Sequence, residues 1–119
     1  MSFVSQGKPS RMRSVYGHNT TDAVGVVYTC PPNCIAHVTF IHVVNSGSST
    51  NTVDVEWYVA ADSYIHNFLS AVSFDPPDFF SFNNIDLVLQ SGDKIQVHPT
   101  GAGHIDSIVT VTETFIPVG

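Results

Sequence analysis

Charged side chains are scarce in this sequence. Lys, Arg, Asp and Glu make up 12% of its 119 residues, about half the share of an ordinary soluble domain. A small folded domain normally covers much of its surface with charge. A chain this poor in it, with 43% hydrophobic residues, is expected to bury surface against other protein, as a subunit of an assembly. Basic residues are scarcer still beyond Ser14, where Lys94 stands alone against ten carboxylates. Phosphate contacts need several Lys or Arg gathered on a folded face, so nucleic acid is not an expected partner. The other three basic residues, Lys8, Arg11 and Arg13, crowd the start. They read as an extended basic arm, 1–13, ahead of one domain, 14–119. The arm is a candidate docking element for an acidic neighbour, and deleting Met1 to Arg13 is expected to leave the thermal midpoint nearly unchanged.

Long apolar runs are absent as well. No stretch of 18 apolar residues occurs, so no helix spans a membrane and no membrane partner is expected. The first thirteen residues lack the apolar core of a signal peptide, which predicts a chain made and kept in a cytosol. Two cysteines are too few for a zinc site. Cys30 and Cys34 bracket Pro31-Pro32-Asn33 and read as two buried thiols flanking a turn, because a disulfide there does not persist in a reducing compartment.

Recognisable chemistry is missing too. Of the six histidines, His37 and His42 are five apart and point to opposite sides of a strand. His104 and Asp106 share a face, but two ligands do not make a metal site. No G-x-S-x-G nucleophile turn is present. Asp54 and Glu56 share a face, yet their alternation with Val53, Val55 and Trp57 marks that face as solvated. No cofactor, metal or catalytic residue is expected, and the chain reads as a non-enzyme.

What is present is β-structure. The stretch from Val26 to Asn45 organises the rest: a β-rich run to Cys30, a double proline that cannot donate to a sheet ladder, then a second β-rich run from Ile35. Two strands therefore meet at a fixed corner. The second is apolar on both faces, which predicts cover on both sides. A short strand is expected over Met12–Tyr16, and Asn45–Asn51 reads as a polar loop. Thr52 to Ala60 alternates strictly, with Val53, Val55, Trp57 and Val59 on the buried face. Tyr64 to Phe74 is ambiguous, with a short strand around Val72–Phe74. Phe79, Phe80 and Phe82 form an aromatic cluster on a loop or edge. Ile85 to Val97 reads as a hairpin turning at Ser91-Gly92-Asp93, and Ile105 to Phe115 as the last strand. Some seven or eight short strands without helical periodicity predict an all-β fold, an antiparallel β-sandwich of jelly-roll character.

Two features remain. Phe79, Phe80 and Phe82, with Tyr58 and Tyr64, suit either an intersubunit contact or a platform for stacking sugars. Glu113 is a carboxylate on the apolar face of the last strand. It lies near an open end of the sandwich or pairs with a donor such as Lys94. Tyr28-Thr29-Cys30-Pro31, Val43-Val44-Asn45, the Leu87 to Val97 segment and Glu113 occur in an order that resembles a group of small structural proteins of tailed bacteriophages. The resemblance covers most of residues 24 to 115. It implies a homotrimeric virion subunit without catalytic residues, a capsid decoration (cement) protein whose partner is the major capsid protein. The alternative is a carbohydrate- or receptor-binding module of a phage tail or fibre, with a tail protein as partner. In either case the candidate contact residues are Lys8, Arg11, Arg13, Phe79, Phe80 and Phe82.

Overall fold

The computed structural model describes residues 9–116. Eight strands run through them: β1 Ser10–Asn19, β2 Gly25–Thr29, β3 Cys34–Asn45, β4 Asn51–Val59, β5 Tyr64–Phe74, β6 Phe79–Leu89, β7 Lys94–Pro99 and β8 Ile105–Phe115. They form two four-stranded antiparallel sheets, ordered β1-β8-β3-β6 and β2-β7-β4-β5. Val and Ile from both inner faces make one core, with Val38, Ile41, Val43, Val53, Val55, Ile95, Val109 and Val111 almost wholly buried. This is the jelly-roll sandwich that the strand count and patterning predict.

Successive strands change sheet at every connection except β4–β5. The Pro31-Pro32-Asn33 corner is one such crossing, from β2 to β3, and Asn33 completes it at φ 61°, a left-handed conformation that Asn tolerates better than most residues. The segment read as a hairpin, Ile85 to Val97, is another crossing. β6 ends in one sheet and β7 begins in the other, so Leu87 and Leu89 face Ile95 and Val97 across the core instead of pairing with them. Alternation is identical in the two arrangements, which is why the pattern alone read as a hairpin.

β3 lies between β8 and β6, and its pairing slips on both sides between Val38 and Phe40. The extra residue, Thr39, sends its hydroxyl to the Thr110 carbonyl at 3.3 Å. A bulge reverses which side chains face inward. Ala36 and Val38 before it, and Ile41 and Val43 after it, are all fully buried. Phe40 and Val44 stand on the other face, so the strand is apolar on both, as its sequence suggests, but no third layer among the described residues covers the second.

β1 begins at Ser10 and pairs with β8 from Ser10↔Thr114 to Asn19↔Ile105. Arg11 and Arg13 are therefore sheet residues, and the boundary expected at residue 13 falls inside a strand. Lys8 lies outside the described residues. Removing residues through Arg13 strips an edge strand of its first four partners, and the thermal midpoint is now expected to fall. Trp57 faces the core as its alternation predicts, but at the rim, where it is only partly buried.

One side chain joins three of the connections. Asp93, 2% exposed, accepts hydrogen bonds from the Ala60 amide at 3.0 Å, the Gln90 amide at 3.0 Å and the Trp57 indole at 3.4 Å. Its backbone carbonyl accepts from the Cys30 amide at 2.9 Å, and the Gly92 amide donates to the Cys30 carbonyl at 3.0 Å. Gly92 sits at φ 88°, where a side chain is strained. The β2–β3 corner, the β4–β5 turn and the β6–β7 corner are thus held to one another. Asp93→Ala leaves buried donors without partners, each worth about 1–3 kcal/mol. A loss of about 3 kcal/mol in urea unfolding is expected, with Trp57 emission shifting to the red; an unchanged midpoint would show the corners hold without it.

Candidate functional site

The outer face of the β1-β8-β3-β6 sheet is organised in cross-strand rows. One runs Tyr16–Ile108–His42–Ser81, the next Ser14–Thr110–Phe40–Asn83, and a third His18–Asp106–Val44–Phe79. Tyr16 is 84% exposed, Met12 71%, Phe79 63% and Ile108 40%. His42 lies between the rings of Phe40, at 6.1 Å, and Phe79, at 5.4 Å, and its Nδ1 meets the Ser81 hydroxyl at 2.7 Å. At one end of the face His18 pairs with Asp106, and at the other His37 contacts Asp86 at 2.9 Å. Between these ends no Lys, Arg, Asp or Glu occupies the rows. The surface is apolar, aromatic and uncharged, with its few polar groups largely bonded to each other.

The three phenylalanines expected to act together divide between two surfaces. Phe79 pairs with Val44 on the outer face, whereas Phe80 and Phe82 pair with Val43 and Ile41, whose side chains point inward. Phe80 and Phe82 meet at 5.0 Å with their rings tilted, and the series continues from Phe82 to Phe68, at 5.9 Å, and from Phe80 to Phe74, stacked at 6.5 Å. That chain of rings closes the edge of the sandwich between β5 and β6. Tyr58 and Tyr64 belong to the other sheet, with Lys94 above the Tyr58 ring at 5.1 Å and His66 against Tyr64 at 4.7 Å. The five rings do not form one sugar-stacking platform. A cleft of about 250 Å³ between the sheets is lined by Trp57, His66, Asn67, Phe68 and Leu87.

Glu113 is the buried partner of the arginines. Its carboxylate accepts from Arg11 Nε at 2.7 Å and from the Tyr28 hydroxyl at 2.5 Å, with Arg13 at 3.7 Å. Lys94 has no part in this cluster. Burial alone would raise the Glu113 pKa, but the bonds from Tyr28 and Arg11 and the charge of Arg13 more than offset it, leaving the pKa below the ordinary range. Burial, followed by the bond to Glu113, pushes the Tyr28 phenol well above its usual value. Arg11 is exposed over two-thirds of its side chain, so the cluster anchors β1 to β8 and β2 while one cation stays in water. Burial likewise pushes the Cys30 thiol up to about 11, and both cysteines are free.

Three groupings escaped sequence reasoning. Asp93 takes its donors from turns far apart in the chain, and no local pattern announces that. His18, Asp106 and His104 form a line in which His104 Nδ1 lies 3.4 Å from His18 Nε2. Glu56, assigned to a solvated face, is 5% exposed. It does point outward, but Gln96 on β7 lies against it at 3.0 Å, and long polar neighbours cover what alternation alone assigns to water.

No protein-family model matches the sequence, and no curated protein matches it. Solved structures do resemble the fold. A chain of the Bacillus endospore appendages, a family of disulfide-linked pili, superposes with a TM-score of 0.60 at 9% identity, covering 98% of this chain and 97% of that one. A chain from the acid-stable capsid of Helicobacter pylori bacteriophage KHP30 gives 0.54 at 12% identity, covering 95% and 93%. A chain of infectious bursal disease virus gives 0.50 at 8%, but this protein spans only 33% of its length. At these identities the likeness defines a class by fold, the jelly-roll sandwich.

The Glu113 cluster sets a pH dependence. A carboxylate whose native pKa is depressed contributes stability that is complete above its unfolded pKa and is lost as pH falls through the native one. Glu113→Gln is expected to cost about 1–3 kcal/mol at neutral pH. It should also flatten the decline of the thermal midpoint below about pH 5. Parallel midpoint–pH curves for wild type and variant would show that Glu113 is not the titrating group.

Proposed function

We propose that this chain is a non-enzymatic virion subunit, a capsid decoration (cement) protein that lies on a phage head and bridges its capsomers. The observation that carries the reading is the uncharged outer face of the β1-β8-β3-β6 sheet, where Tyr16, Met12, Phe79 and Ile108 stand exposed. Contiguous apolar surface of this kind marks a protein contact, and the central rows lack the charge that would oppose desolvation. The KHP30 capsid chain supports it further. Coverage near completeness in both directions means a capsid holds a jelly roll about as long as this one, without the extra domains of a larger shell protein.

Cementing of this kind is passive. Each Å² of apolar surface removed from water at a capsomer junction contributes about 25 cal/mol, and a shell repeats the contact many times. In this reading the functional unit is a homotrimer, the partner is the major capsid protein, and the protein resides in the virion. Arg11 and Arg13, engaged with Glu113 inside the subunit, contribute to this contact less than Tyr16, Ile108 and Phe79. The Bacillus appendage chain suggests a second arrangement, self-assembly into a fibre. Cross-linking through Cys30 is opposed by its burial and by a thiol pKa near 11.

Light scattering should give three times the 12.9 kDa chain mass at micromolar concentration, and co-sedimentation with shells of the cognate major capsid protein should saturate. Tyr16→Lys with Ile108→Glu, an opposite-charge cross-strand pair, should abolish binding to shells while leaving the unfolding free energy within about 0.5 kcal/mol of wild type, as for exposed sites in general. Saturable binding on a glycan array with no affinity for shells would replace this reading with the receptor-binding one. Filaments in place of trimers would replace it with the fibre.

A further inference from the structure

We propose that Asp54, Glu56 and His98 form a binding site for a first-row divalent cation of the zinc type on the outer face of the β2-β7-β4-β5 sheet. The proposal is independent of the virion role. Asp54 and Glu56 are two apart on β4 and so share a face, and His98 on β7 is the direct cross-strand partner of Asp54. One oxygen from each carboxylate and one imidazole nitrogen all lie within 4.8 Å of one another. Two metal–ligand bonds of about 2.0–2.2 Å at a tetrahedral angle put their ligand atoms about 3.3–3.6 Å apart, so side-chain rotations that draw the atoms together by up to about 1.5 Å close the set.

A second observation points to a cation. Glu56 is 5% exposed. Its Oε1 accepts from Gln96 Nε2 at 3.0 Å, while Oε2 has no hydrogen-bond donor among the described residues and faces His98 Nδ1 at 3.8 Å. A buried carboxylate pairs with a charge or holds a metal; His98 stands at ion-pair but not hydrogen-bond distance from Oε2, and the one lysine beyond Ser14, Lys94, is over Tyr58. The ligands are also oriented from behind. Gln96 holds Glu56, and the Ala71 amide, at a bulge in β5, donates to Asp54 Oδ1 at 2.6 Å. Such outer contacts are what fix metal ligands in register. Two carboxylates with one imidazole suit zinc or manganese better than calcium, which takes oxygen alone and six to eight ligands. His98 is 41% exposed at its side chain, leaving an open side for water. A cation here ties β4 to β7.

The test is isothermal titration of the chelator-stripped full chain with zinc chloride, alongside thermal unfolding at rising zinc. One saturable site is expected, with a midpoint that climbs with concentration as mass action requires. Glu56→Gln keeps the shape and loses the charge, and His98→Ala changes an accessible position without disturbing the core. Each should weaken zinc at least tenfold and suppress the climb. The paired variant His18→Ala with His104→Ala, which removes the other close imidazoles, should leave both intact. Absence of saturable zinc or manganese binding overturns the site. So does binding lost only in the His18/His104 variant, and so does calcium binding tighter than zinc.

Discussion

Asp93 is the constraint on which the rest of the structure depends. A jelly roll gains little from local pairing, since nearly every connection crosses between sheets, and the crossings must be held in place by something other than a ladder. Here a single buried carboxylate accepts from the amides of two turns and from an indole, while its own backbone bonds to the proline corner. Three turns distant in sequence become one end of the sandwich. An aspartate suits this position because two oxygens offer about four acceptor sites in the space of a small side chain, and turns present amides that no strand can satisfy.

The same end carries the Glu113 cluster, and the two carboxylates work differently. Asp93 is bonded to neutral donors and fixes geometry. Glu113 is bonded to a phenol and an arginine and fixes order: it sets the edge strand β1 against β8 and fastens both to Tyr28 of the opposite sheet. Buried ionic groups are weak evidence for stability but are retained where they select one arrangement. A strand as polar as SRMRS has few apolar contacts to specify its register, and the Arg11–Glu113 pairing supplies that specification.

Much of the architecture was legible because alternation and breakers report it directly. The proline corner, the Asn45–Asn51 loop, the core face of β4 and the span of β8 all follow from period two and turn chemistry. What was not legible shares a physical cause: it depends on which element lies opposite. Thr39 gives no local sign that it is a bulge, yet it reassigns half of β3. Leu87 to Val97 alternates identically whether it pairs with itself or crosses the core. Phe79, Phe80 and Phe82 look like one cluster until pleating sends the first outward and the others to the sandwich edge. Asp93, Arg11 and Glu56 find their partners 33, 102 and 40 residues away, beyond any window in which a pattern is visible. Of the candidate contact residues, Phe79 lies on the uncharged face, and the aromatic residue that dominates it, Tyr16, sat unremarked in a short polar strand.

The pairing of β8 between β1 and β3 has a consequence for how the protein is made. β8 ends at Phe115 and is the last of the eight strands to be synthesised, yet it is the inner neighbour of the first and third. Until it arrives, β1 has no partner at all and β3 presents one open edge lined by Ala36, Val38, Ile41 and Val43. Translation proceeds at about 5–20 residues per second, so that edge stays open for several seconds. Among the eight strands the sandwich therefore closes last at β8. A chain so short of charge is most prone to pair with its neighbours in that interval.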